Sequence, residues 1–550
     1  MRVRTRSTVA IAGMAVLALG LAACGGSDDP TAADASGAVV INGGEPENPL
    51  IPSNTNETGG GNVIDNLFTG LVEYNPKDAS PENAMAESME PNDDNTVWTV
   101  KIKSDWKFHD GSAVTAQSFV DAWNYAAYGP NAQLNSYFFG ADGLGIQGYD
   151  EVQGEDANGD EQVTEDEATV KEMSGLKVVD DTTFEVTLDA PNGLFPIIVG
   201  YSAFVPLPES FFDDPAVFGE APVGNGPFKF VSWDKKQQIK MEAYTEYKGE
   251  DVPQVKDVTW KIYQDLDAAY ADLLAGNLDV LDSIPVSALA GDQYKTDLGD
   301  RWVNQAAGVI QTITFPLYVE EYKNVDLRRA LSMAVDREAI TGTIFNGTRD
   351  PATGFVSPVV NGYVADACGE NCTYNPDEAK KALAASGFTG AVTLAYNADG
   401  GHKEWTEAAC NSIKNTLGIE CTATPYVDFK TLRKAVNNDE MTGMFRTGWQ
   451  MDYPSIENFL APIYATTGSA NDGGYSNAKV DALFKSAKSK TGDDANKDYQ
   501  DAEKLISEDM PAIPLWYGAT TAGWSENVTG VEFTPFSRVN LTSIKKASSE

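Results

Sequence analysis

The second half of the chain alternates helix and strand, and this rhythm limits the possible fold more than any other feature. Asn375-Pro376-Asp377-Glu378 reads as a helix start, with a capping side chain, a proline in the first turn and an acid at the third position. The helix closes at Gly387. A strand over 392–396 comes next, then a helix over 405–417 stopped by Gly418, then a strand over 420–424. The same order occurs earlier, where helical residues from Tyr270 run to Gly276 and a strand leads into Val280. Leu327, Ala330, Leu331, Ala334 and Val335 fall at i, i+3, i+4, i+7 and i+8, which predicts an amphipathic helix capped by Asp326. Strands separated by helices in this way define an α/β fold. At 550 residues and 42% hydrophobic content, the chain has material for several cores.

The N-terminus is of a different kind. Arg2, Arg4 and Arg6 precede an apolar run over 9–21 that is short for a membrane span. It ends in Leu21-Ala22-Ala23-Cys24, followed by the polar Gly25-Gly26-Ser27-Asp28-Asp29. This arrangement is similar to a bacterial lipoprotein signal, and implies removal of 1–23, lipidation of Cys24 and a flexible tether over 24–37. The expected location is the extracytoplasmic face of the cytoplasmic membrane, with the body held there by a lipid anchor. The formal charge is −41, and loss of the three arginines makes it −41 − 3 = −44. Such a charge repels nucleic acid and anionic headgroups, so no nucleic-acid partner is expected. Apart from Cys24, four cysteines remain, an even number suited to an oxidising compartment. Three pairings are possible, and the local one, Cys368 with Cys372 and Cys410 with Cys421, is the simplest. Four thiolates on zinc are the alternative, although the spacings lack the paired Cys-x-x-Cys knuckles of such sites.

Along the chain, residues 39–41 form a short buried run and 62–71 carry helical spacing. Between them, Thr58, Gly59 and Gly60 belong to a nearly side-chain-free stretch, read as a loop that lets another backbone approach closely. Trp98, Val100 and Ile102 share one face of a strand, as do Phe184, Val186 and Leu188. Asp156, Asn158, Asp160 and Glu167 occupy positions 1, 3, 5 and 12 of an EF-hand-like loop, a possible structural calcium site, with Glu161 where the turn glycine belongs. No other cofactor is expected.

The stretches 67–71, 108–119, 222–230, 324–340, 374–388 and 448–460 together resemble the peptide/nickel group (family 5) of extracellular solute-binding proteins of ABC importers, with oligopeptide- and dipeptide-binding lipoproteins nearest. The resemblance runs from about Val39 to Pro535. It implies a periplasmic-binding-protein-like fold: two α/β lobes joined by hinge crossovers, with an extra domain inserted in the first lobe. The implied boundaries are 38–76, 205–308 and 515–550 for lobe I, 77–204 for the extra domain with its acidic insert at 150–170, and 309–514 for lobe II. It also implies a monomer that binds short peptides and meets a membrane permease. The alternatives within the family are a nickel chelate, an oligosaccharide, or a peptide-sensing role without transport.

Catalysis finds no support in the residues. His109 and His402 stand in unrelated contexts, and no His-Glu-x-x-His, Gly-x-Ser-x-Gly or phosphate loop occurs. The protein is read as a binder rather than an enzyme. Phe445-Arg446-Thr447-Gly448-Trp449-Gln450-Met451-Asp452-Tyr453 puts a guanidinium, an indole and a carboxylate within seven residues, the groups that hold an extended zwitterion. The resemblance assigns the ligand's α-ammonium to Asp452, through the Gly-Trp-x-x-Asp-Tyr pattern of Gly448, Trp449, Asp452 and Tyr453. It places Arg446 and His402 near the ligand's carboxylate, and Thr58, Gly59 and Gly60 as backbone partners from the first lobe.

Overall fold

The computed structural model describes residues 38–156, 162–398 and 401–547. The leader, Cys24 and the 24–37 tether lie outside these residues, as do Asn158 and Asp160 of the acidic loop.

One large sheet organises the molecule. In chain order its strands are β1 (Ala38–Gly43), β2 (Phe228–Asp234), β3 (Gln238–Ala243), β4 (Asp257–Ile262), β5 (Val280–Leu281), β6 (Trp302–Thr314), β7 (Val392–Asn397), β8 (Cys421–Tyr426), β9 (Met444–Gln450) and β10 (Ala512–Trp524). In space the order is β8-β7-β9-β6-β10-β5-β1-β4-β3-β2, with the two-residue strand Asp350–Pro351 attached to β10. Strands β7–β9 form one half and β1–β5 the other. The two 13-residue strands β6 and β10 join them as an antiparallel pair.

That pair is interrupted at its middle. Register shifts fall between Ala306 and Ile310 and again between Gln311 and Thr312. Within the first shift, Gly308 donates to the Pro535 carbonyl at 2.7 Å and accepts from the Met451 N–H at 2.8 Å. A β-carbon on Gly308 would stand 2.5 Å from the Met451 Cγ, so only glycine lets the chains approach this closely.

The helices follow the apolar spacing. The helix Val325–Met333 buries Leu327, Ala330 and Leu331, but its cap is Asn324, whose side chain accepts from Asp326 N and Leu327 N. Asn caps as readily as Asp, and spacing alone does not separate two neighbouring candidates. Pro376–Ser386 is capped by Asn375 and ends at Gly387 in the left-handed region (φ 69°). In the second half the Trp405 and Trp516 rings meet edge to face at 5.2 Å, over a core that includes Leu331, Leu394 and Met444. A separate four-stranded antiparallel sheet, in the order Ala86–Pro91, Val97–Ile102, Thr183–Thr187, Leu176–Asp180, falls within 77–204. Trp98, Val100, Ile102, Phe184 and Val186 are buried on its inner face.

Disulfides join Cys368 to Cys372 and Cys410 to Cys421. The second ties the helix Lys403–Leu417 to the start of β8. Among the described residues no helix is long and apolar enough to cross a membrane. In the acidic loop, the Glu167 carboxylate accepts from the Thr164 N–H and hydroxyl, both at 2.9 Å.

Residues 58–60 differ from the expectation of a loop. They form the first turn of helix α1 (Thr58–Leu67), whose Glu57 carboxylate caps it by accepting from Gly60 N at 2.9 Å. The missing side chains serve internal packing, since a β-carbon on Gly59 would come within 3.0 Å of the Gly44 backbone.

Candidate functional site

Strand β9 has one satisfied edge and one open one. Residues 445–450 pair with β6 along the whole strand, Phe445 with Thr314 through Gln450 with Val309. On the other side, β7 pairs only Met444 and Phe445. Among the described residues no strand pairs with that edge from Thr447 to Gln450, and Gly448 and Gln450 are exposed. An unpaired edge presents backbone donors and acceptors to any extended chain laid beside it. Gly448 serves the pairing with β6, because a β-carbon there would stand 2.9 Å from the Ile310 carbonyl oxygen.

The chain beyond β9 is held by a residue that the motif does not name. The Asn458 side-chain oxygen accepts from Trp449 Nε1 at 3.1 Å and from Asp452 N at 2.9 Å, while its amide donates to Asp452 Oδ2 at 3.1 Å. Asn458 lies in helix α2 (Ile456–Tyr464) and is 1% exposed. The cap of α2 is Ser455, which accepts from Glu457 N at 3.1 Å, so Asp452 is not spent on capping. Burial pushes the Asp452 carboxyl up to about 6, against the lowering effect of the Asn458 amide, with the Glu457 charge adding to the rise.

Asp452 opens into a cavity of 370 Å³ with Gln450 and Met451 at one end of β9 and residues of the first half around it. Its charged lining among the described residues is Glu57, Asp65, Glu73, Asp251 and Asp452, against Arg538. Arg538 is ion-paired to Asp65, and the Glu73 carboxylate accepts from the Thr69 and Tyr247 hydroxyls at 3.1 and 3.2 Å. Tyr74 and Tyr201 also line it, and Tyr74 stacks on Phe536 at 5.2 Å. Burial first, and the Asp452 charge second, raise the Tyr74, Tyr137 and Tyr201 phenols well above their usual range, so they stay neutral. Acidic groups among aromatic rings form an environment suited to a cation.

A second cavity, of 230 Å³, lies toward the other end of β9. Its charged lining is Arg433, Arg446 and Asp472, and Arg433 grips Asp472 through two bonds of 2.6 and 3.0 Å. The Arg446 guanidinium carbon lies 5.7 Å from the Phe429 ring centre. One strand thus runs from an acidic cavity to a cavity with a cationic lining.

The remaining motif residues are placed elsewhere. Tyr453 is 1% exposed and lines neither cavity, donating to Glu457 Oε2 at 2.7 Å. His402 stands at the start of the helix Lys403–Leu417 and accepts from Trp405 Nε1 at 3.0 Å, and it lines neither cavity. Thr58 lines the acidic cavity; Gly59 and Gly60 do not, because the helical turn draws their backbone into α1. Trp449, Gly448 and Arg446 line the second cavity. Asn458 and the Arg538–Asp65 pair went unread in the sequence. A buried Asn six residues past Asp452 gives a weak signal, and partners as distant as Asp65 and Arg538 give none.

A sheet in two halves joined by an interrupted two-strand crossover, with cavities along the strand beside it, is an arrangement suited to binding a small solute. Residues 80–471 match the family model of bacterial extracellular solute-binding proteins, family 5, and the chain belongs to this family. Dipeptide-binding protein DppE of Bacillus subtilis is 28% identical over 87% of this chain and 86% of its own. Heme-binding protein A of Haemophilus influenzae is 25% identical over 86% of this chain and 85% of its own. The murein tripeptide-binding protein MppA of Escherichia coli shares the fold, with a TM-score of 0.74 at 22% identity over 93% of this chain and 98% of its own.

Proposed function

We propose that this protein captures short peptides in extended form, laid along the open edge of β9 between the two lobes. The supporting observation is the edge itself, which no strand of the described residues covers from Thr447 to Gln450, flanked by a carboxylate-rich cavity at one end and by Arg446 at the other. The ligand's α-ammonium meets Asp452 and its carboxylate lies toward Arg446, so it runs antiparallel to β9. Six residue steps at about 3.4 Å each give roughly 20 Å between these groups, room for a ligand of up to about six residues. Backbone pairing supplies affinity whatever the sequence, and the charged ends fix direction.

On this reading the protein is a monomeric lipoprotein, anchored through Cys24, that delivers its ligand to an ABC permease. The Ala22-Ala23-Cys24 signal and the peptide-binding relative support that assignment. The test is calorimetry with pentaalanine and its N-acetylated form. Pentaalanine should bind, and acetylation should weaken binding by about a hundredfold or more, since it leaves a buried carboxylate unpaired. Equal binding of the two forms removes Asp452 as the ammonium partner. If the protein binds heme or another family solute instead, affinity survives Asp452→Ala.

A further inference from the structure

The second cavity has a composition that the peptide reading does not require. Its floor is the face of the β6/β9 pair carrying Ile310, Thr312 and Thr314, with Trp449 opposite Ile310 and Thr447 opposite Thr312. The threonine hydroxyls are spent on one another: the Thr447 hydroxyl lies 2.7 Å from that of Thr312 and 2.5 Å from that of Thr314. Arg433 and Asp472 neutralise each other at the wall. These polar groups are therefore already partnered, and what they leave for a ligand is apolar surface.

Helix α3 (Phe429–Asn437) supplies one wall with Phe429, Leu432, Arg433 and Val436, spaced i, i+3, i+4 and i+7. Leu432 and Val436 are buried, yet Phe429 is 48% exposed where the stripe comes out to solvent. Phe355 and Tyr464, edge to face at 5.2 Å, line the cavity as well. A dry cavity of about 150 Å³ is known to accept a benzene ring, and this one measures 230 Å³.

Resting on the peptide reading, we infer that this cavity is a subsite for one large apolar side chain, aromatic or branched, in the carboxyl-terminal part of the ligand. Thr447, Gly448 and Trp449 lie three to five residues before Asp452, so the subsite takes the third to fifth residue of an antiparallel peptide. Charge complementarity sets the same direction, with Arg446 beside the cavity and the carboxylate-rich cavity at the far end. The preferred substrates are peptides of four to six residues whose apolar side chain lies toward the carboxyl end.

The experiment is calorimetry of the full chain with pentaalanine and five variants, each carrying one phenylalanine at positions 1 to 5. Phenylalanine at one of positions 3 to 5 should tighten binding about tenfold to a hundredfold over pentaalanine, and at positions 1 and 2 much less. Phe429→Ala should shrink that gain at least fivefold, and Phe429→Leu, which keeps an apolar wall, should preserve most of it. A flat series, or a gain untouched by Phe429→Ala, overturns the subsite while leaving peptide capture standing. Failure of all six peptides to bind overturns peptide capture itself, and the subsite with it.

Discussion

The two ends of β9 are neighbours in sequence and opposites in chemistry. At the Asp452 end, carboxylates outnumber cations and their partners come from the first half of the molecule, from Glu57 on one side of the sequence to Arg538 on the other. At the Arg446 end, the charges are nearly balanced, the polar atoms are mostly paired, and every lining residue falls between Ile310 and Pro511. The acidic end is completed by both halves; the apolar end is built by one. On the proposed peptide reading, the apolar end would hold a ligand with residues of one half alone, whereas its charged end would need both.

The sharpest way to break this contrast is to remove the carboxylate. Asp452→Ala should weaken peptide binding by a hundredfold or more in calorimetry, by about 3 kcal/mol or above, while the circular dichroism of the protein is unchanged. An unaltered affinity would sink the assignment. Asn458→Leu tests the brace rather than the charge. With the bonds to Trp449 and Asp452 gone, affinity should fall about tenfold to a hundredfold, and the emission of Trp449 should shift because its N–H loses its partner.

Acid should act on one end only. An ammonium binds the ionised form of Asp452, whose pKa is about 6 in the free protein, so affinity should fall as pH drops through 6. Between pH 7 and pH 5 the loss should be about tenfold, and Asp452→Asn should flatten the profile. Burial sets most of the shift, the Asn458 amide opposes it and the Glu457 charge adds to it, with Tyr74, Tyr137 and Tyr201 nearby staying neutral throughout. The smallest effect belongs to the other end. Arg446→Gln, or amidation of the peptide's carboxylate, should cost a few-fold in affinity, about 1 kcal/mol, because Arg446 is only partly buried and an ion pair in contact with solvent contributes little. A loss equal to that of Asp452→Ala would erase the asymmetry.

Periodic elements were legible in the sequence because each side chain reports its own burial. The helices after Asn375 and around Trp405, and the strands at 97–102 and 183–187, follow from apolar spacing and caps a few residues apart. Gly59 was legible as a close approach but not as to what approaches, which is Gly44; the contact of Gly448 with Ile310 was not legible at all. The motif residues were read as a unit, yet the structure sends Tyr453 inward to Glu457 and His402 to Trp405. Which face a short polar residue takes depends on tertiary partners that local spacing does not encode. The second cavity was illegible for the same reason, since helix α3 meets β6 only across more than a hundred residues of chain.

The central position of β10 has a consequence for the order of assembly. It follows every other strand of this sheet in chain order, yet it lies between β6 and β5 and closes the sheet across its middle. Until residues 512–524 emerge, β5 and β6 each lack a neighbour, and the two halves stay unzipped however well each has collapsed. Pairings of such long sequence separation form slowly. The two sets of strands are therefore joined only through β10, and a chain cut before Ala512 should yield two disconnected fragments of sheet instead of a smaller binding protein.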